Sequence, residues 1–136
     1  MCRFCKKIIF LYYYQRAVYK ASREEYLDAA HILNAALFKE TFFHYFLLSA
    51  FLYERLHKFE ESLVFYDKAK YLIIENANLS DNDKNYLYKY INNGYIYIYQ
   101  KLNKLDKANE IKKKNSSISF NINSVHRSIK NDFVIG

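Results

Sequence analysis

Lys58-Phe59-Glu60-Glu61-Ser62-Leu63-Val64-Phe65-Tyr66-Asp67-Lys68-Ala69-Lys70-Tyr71-Leu72 reads as a helix with one distinctive face. Aromatic Phe59, small Ser62, aromatic Tyr66 and small Ala69 follow one another at steps of three and four. Small residues let a second helix approach closely, and aromatics fill the space between the two. The pattern recurs upstream as Tyr26, Ala29, Leu33 and Ala36, and more weakly downstream as Leu105, Ala108 and Lys112. Ala29 and Ser62 are 33 residues apart, Ser62 and Ala108 are 46 apart, and the first spacing is that of a helical repeat.

The composition agrees with helices. Among 136 residues there are no Pro and two Gly, so the residues that build hairpins, phosphate loops and tight active-site turns are nearly missing. With 51% apolar residues the chain can bury a core, and its length suits one domain rather than a two-domain enzyme. The repeats predict helix pairs at residues 6–21 with 23–38, 42–56 with 58–75, and 81–102 with 104–114. Ser22-Arg23-Glu24-Glu25 has the form of a capping box and places a helix start at Arg23. The polar run 76–83 is turn-like and offers Ser80 or Asp81 as the next cap; longer helices around it absorb the wider second spacing.

Counted from Phe43, the second pair carries Phe46, Ser49, Ala50, Tyr53, Ser62, Tyr66 and Ala69 in the order large, small, small, aromatic, small, aromatic, small. In this the chain resembles the tetratricopeptide repeat family over residues 8 to 114. The first pair fits through Ala17 and Tyr26, with Tyr19 one place early and a one-residue insertion around Ala21 and Ser22. The third fits through Tyr99 and Ala108, with Ile96 at a small position and Asn115 at the final Ala. The resemblance implies an all-α solenoid of about three helix-turn-helix repeats, six to seven helices, over residues 1–114. Residues 115–136 are expected as an extended tail. In Ser117-Ile118-Ser119-Phe120-Asn121-Ile122-Asn123 apolar and polar residues alternate, and this segment is expected to run along the last helices.

The resemblance also implies a concave groove lined by the first helix of each pair. Carried over position by position, its lining is Leu11, Tyr14 and Val18 from the first unit, then His44, Leu47, Phe51, Glu54 and Arg55 from the second. The third unit contributes Tyr90, Asn93, Tyr97, Gln100 and Lys101. Such a lining is aromatic with a few polar handles, which suits a peptide segment with hydrophobic anchors. It lacks the Lys and Asn set with which some family members clamp a terminal carboxylate. Bacterial secretion chaperones of three such repeats, and assembly or regulatory adaptors, are the subclasses this length fits; Asn92-Asn93-Gly94-Tyr95-Ile96-Tyr97 is similar to a stretch of the peptide-sensing regulators.

Other chemistry finds less support. Cys2-Arg3-Phe4-Cys5 has the spacing of half a zinc site without a second Cys pair, and is read as incidental thiols in a reducing compartment. His31, His44, His57 and His126 are scattered, and Glu24-Glu25 and Glu60-Glu61 suit helix starts. No catalytic motif is present, and neither catalysis nor a cofactor or metal is expected. The apolar run after Lys7 is too short and Tyr-rich for a signal peptide, and no stretch reaches the roughly 20 apolar residues of a bilayer span. A cytoplasmic interaction module with a protein or peptide partner is therefore the expectation, with homo-oligomerisation left open. The net charge of +7 keeps nucleic acid as the alternative partner, through the basic N-terminal helix and through Lys101, Lys104, Lys107 and Lys112 to Lys114.

Overall fold

The computed structural model describes residues 1–126 and Ile129. Among these residues it is all-α. Six helices follow in order: α1 Arg3–Ser22, α2 Tyr26–Asn34, α3 Phe43–Arg55, α4 Phe59–Glu75, α5 Asp81–Lys101 and α6 Leu105–Ser116, with short 3-10 turns at Lys39–Thr41 and Ile122–Ser124. Each helix packs on the next along the chain, and α3 also touches α5. Aromatic stacking ties α1 to the start of α3, where the Phe10 and Phe42 ring centroids are 5.0 Å apart.

The turns within the three pairs are built alike. Glu24, His57 and Asn103 adopt left-handed backbone, with φ of 60°, 62° and 58°. The next N–H in each case reaches back five residues: Glu25 N donates to Lys20 O at 3.0 Å, Lys58 N to Tyr53 O at 2.8 Å and Lys104 N to Tyr99 O at 2.7 Å. This closure satisfies carbonyls that a helix end otherwise leaves open, and it folds the chain back within three residues. From 24 to 57 is 33 residues and from 57 to 103 is 46, the same spacings as between the small residues. Those small residues do what their size suggests: Ala29, Ser62 and Ala108 are at most 1% exposed, and each follows its turn by five positions. Ala50 and Ala69 are wholly buried as well, and Ser62 Oγ donates to Ala50 O at 2.6 Å across the α3 and α4 contact.

Three local expectations are corrected. Ser22 caps no helix start: α1 runs through it, its hydroxyl donates to Tyr19 O at 2.6 Å, and α2 begins at Tyr26. Glu25 forms ion pairs with Lys20 and Arg23 instead of closing a capping box. Second, α2 stops at Asn34 rather than 38. The Lys39 ammonium donates to Asn34 O, Phe38 turns left-handed and the 3-10 turn brings Phe42 onto Phe10, so burying Ala36 and Phe42 takes precedence over extending the helix. Third, the small residue of the third pair is Gly94, not position 96. A Cβ on Gly94 would lie 2.4 Å from Tyr66 Cζ, so the bare backbone of α5 leaves room for the Tyr66 ring of α4.

Ser80 caps α5 as expected, its Oγ accepting from Asp83 N at 3.0 Å. The described part of the tail, residues 117–126, doubles back along α5. Asn82 holds Asn121 from both sides, through Asn82 Nδ2 to Asn121 O and Asn121 N to Asn82 Oδ1. Asn85 donates to Ser119 O, Phe120 packs edge-on to Tyr86, and His126 N donates to Asp83 at 2.9 Å. The segment 127–136 of the expected tail, apart from Ile129, lies outside the described residues.

Candidate binding face

The side chains expected to line a groove divide by burial. Tyr14 and Leu47 are 2% and 0% exposed and belong to the core, so their part is packing and not contact with a partner. Phe51 is nearly as buried, edge-on to Tyr26 with the Arg55 guanidinium over its other face at 5.1 Å. His44 stacks on Phe43 at 4.1 Å and meets Tyr14 edge-on. Burial, and secondarily the charge of Lys7, pushes the His44 imidazole down to about 4, so at neutral pH it is an uncharged aromatic filler. Asn93 turns toward α6: Asn115 Nδ2 donates to Asn93 Oδ1 at 3.1 Å, while Asn92 Nδ2 donates to Asn115 Oδ1 at 3.3 Å. Asn115, which stands where the repeat pattern has its final Ala, thus forms an amide bridge to α5.

Besides exposed Asn93 and half-buried His44, Leu11 and Val18 on α1, Arg55 on α3, and Tyr90, Tyr97, Gln100 and Lys101 on α5 remain accessible. Two clusters hold Arg55, Tyr90, Tyr97 and Lys101. Around the end of α3, the buried Glu54 carboxylate accepts from Tyr66 Oη at 3.2 Å, and burial raises its pKa to about 6. Tyr90 lies close enough for Glu54 to reinforce burial in raising its phenol, with the Arg55 cation opposing. A buried carboxylate keeps its charge only where hydrogen bonds and cations compensate for lost water, and here a tyrosine and an arginine supply both. Further along α5, Lys101 Nζ sits 5.4 Å over the Tyr97 ring, which faces Phe59, and His57 adjoins Phe59. Together the clusters expose aromatic surface with one guanidinium and one ammonium.

Sequence reading did not include Tyr66 in this set, since its position marked it as packing between helices. A tyrosine at a buried contact position is itself a signal, because its hydroxyl needs a partner. Elsewhere, a surface depression of about 500 Å³ lies between α3, the first 3-10 turn and α4, lined by Glu40, Phe46, Asp67, Lys68, Tyr71 and Leu72. It includes none of the expected groove residues. The basic residues Lys104, just before α6, and Lys107 and Lys112 to Lys114 on it are all exposed, with Lys107 over the Tyr99 ring. Among the described residues no group of three or more His, Cys, Asp or Glu side chains converges as a metal site, and no helix is long and apolar enough to cross a membrane.

Compared with protein-family models, curated proteins and solved structures, the chain returns no match.

Proposed function

We propose that this chain is a tetratricopeptide-like solenoid that works in the cytoplasm as an adaptor or chaperone. It grips a hydrophobic or aromatic segment of a protein partner along the face of α1, α3 and α5, and it catalyses nothing. The observation carrying this reading is the threefold recurrence of one turn geometry at Glu24, His57 and Asn103, each followed by a buried small residue. A repeated helix pair gives each first helix an equivalent station, which is how an array builds one continuous surface for an extended ligand. Half-buried Leu11, Val18, Tyr90 and Tyr97 supply apolar anchors on that surface, and Arg55 and Lys101 supply polar handles.

Affinity capture from cells that make the protein, with and without nuclease, tests the reading. A protein partner retained after nuclease and lost on substitution of the α3 and α5 residues supports it. A partner released by nuclease favours the alternative, in which the exposed lysines of α6 hold nucleic-acid phosphates.

A further inference from the structure

Cys2 and Cys5 stand at the start of α1 with their Sγ atoms 2.7 Å apart, one thiol hydrogen-bonded to the other. Cys2 is the N-cap residue, and its sulfur also accepts the Cys5 N–H at 3.3 Å. Both side chains are exposed, and neither is in a disulfide. The two sulfurs are neighbours across one helical turn, where a disulfide between them can close. The first turn has no acidic residue, and Arg3, Lys6 and Lys7 surround the pair in sequence.

We propose that Cys2 and Cys5 form a redox-active dithiol that exchanges with anionic low-molecular-weight disulfides, Cys2 attacking and Cys5 resolving. The Cys2 thiolate attacks one sulfur of the incoming disulfide, a bond forms between the two sulfurs, and the first small thiolate leaves. Cys5 then loses its proton to water and attacks the Cys2 sulfur of the mixed disulfide, expelling the second small thiolate. Two electrons pass from the two cysteines to the small disulfide, whose halves leave as thiols. The division of labour follows from the geometry. The thiol contact with Cys5, and then the Cys5 N–H that donates to Cys2 Sγ at 3.3 Å, lower the Cys2 pKa, while the contact with Cys2 raises that of Cys5. The thiolate is the nucleophile, so Cys2 is the more reactive of the two.

Oxidised glutathione added to the reduced full-length chain, followed by alkylation and mass spectrometry, tests this. The wild type is expected to become a monomer lighter by two hydrogens and refractory to alkylation. Cys5→Ser, which keeps a hydroxyl donor beside Cys2, is expected to stop at a glutathione adduct on Cys2. That adduct should form about threefold or more faster than the one on Cys5 in Cys2→Ser. Circular dichroism shows whether both variants keep the wild-type helical signal. Persistent glutathione adducts on the wild type, disulfide-linked dimers as the main product, or equal rates in the two variants would overturn the proposal.

Discussion

The Tyr66 ring occupies the space that a side chain on Gly94 would need. A Cβ there would stand 2.4 Å from Tyr66 Cζ and 2.5 Å from its hydroxyl oxygen. Tyr66 is 2% exposed and hydrogen-bonded to Glu54, so it has no free path of retreat. Alanine is favoured over glycine within a helix by about 1 kcal/mol, yet Gly94→Ala is expected to destabilise by on the order of 1–3 kcal/mol. Urea unfolding checks this. In a Tyr66→Leu background the penalty of Gly94→Ala should largely vanish, and an equal penalty in both backgrounds would show that the contact is not its source.

Ala69 is wholly buried between helices while Lys112 is exposed on α6. Ala69→Phe should cost on the order of 1–3 kcal/mol through overpacking, and Lys112→Phe less than about 0.5 kcal/mol. Thermal melts that fall together for the two variants would break the assigned register.

At the three turns, left-handed backbone strains residues that carry a Cβ, least so for Asn. Glu24→Gly is expected to stabilise by about 0.5–1 kcal/mol and Asn103→Gly by less, since Gly relieves the strain but costs chain entropy. Differential scanning calorimetry gives the order; a larger gain at Asn103 than at Glu24 would contradict the shared geometry.

Much of the fold was legible because burial imposes spacing. Ala29, Ser62 and Ala108 had to be small for helices to meet, and the distances between them carried over unchanged to the turns at Glu24, His57 and Asn103. The helix ends were less legible where tertiary contacts outweighed local signals. Ser22 has a capping pattern, but α1 gains more by continuing to the Glu24 turn; α2 yields its last turn so that Phe42 can reach Phe10. The role of Gly94 was not legible because counting from the matched unit points to position 96, and only the observed packing of α4 on α5 shows where the Tyr66 ring needs room. For the candidate face, the resemblance proposed which helices would contribute, but spacing did not show how deeply Tyr14, Leu47 and Phe51 sink, which depends on the neighbouring helix.

His44 and Glu54 bend the pH dependence of stability in opposite directions. The His44 pKa drops from about 6.5 unfolded to about 4 folded, so its contribution is full above pH 6.5 and is lost as pH falls toward 4, on the order of 2–3 kcal/mol. The Glu54 pKa rises from about 4.5 to about 6, so its contribution is greatest below pH 4.5 and is lost as pH climbs through 6. Urea unfolding between pH 4 and 7 should show Glu54→Gln losing stability more steeply on acidification than the wild type. His44→Phe, which keeps the aromatic stack, should lose less. Parallel profiles for all three proteins would contradict these environments.

The central claim, that a partner segment lies along the exposed side chains of α3 and α5, is tested most directly by titrating the captured partner against two mutant sets at two salt concentrations. Arg55→Ala with Tyr97→Ala removes a guanidinium and an aromatic anchor from adjacent helices without opening the core. The second set replaces Lys104, Lys107, Lys112, Lys113 and Lys114 with Ser. The account predicts that the double mutant keeps its helical signal and weakens binding by at least about thirtyfold, roughly 2 kcal/mol, with little dependence on salt, and that the lysine set binds as the wild type does. Wild-type affinity in the double mutant, with binding that falls steeply as salt rises and disappears in the lysine set, would contradict it.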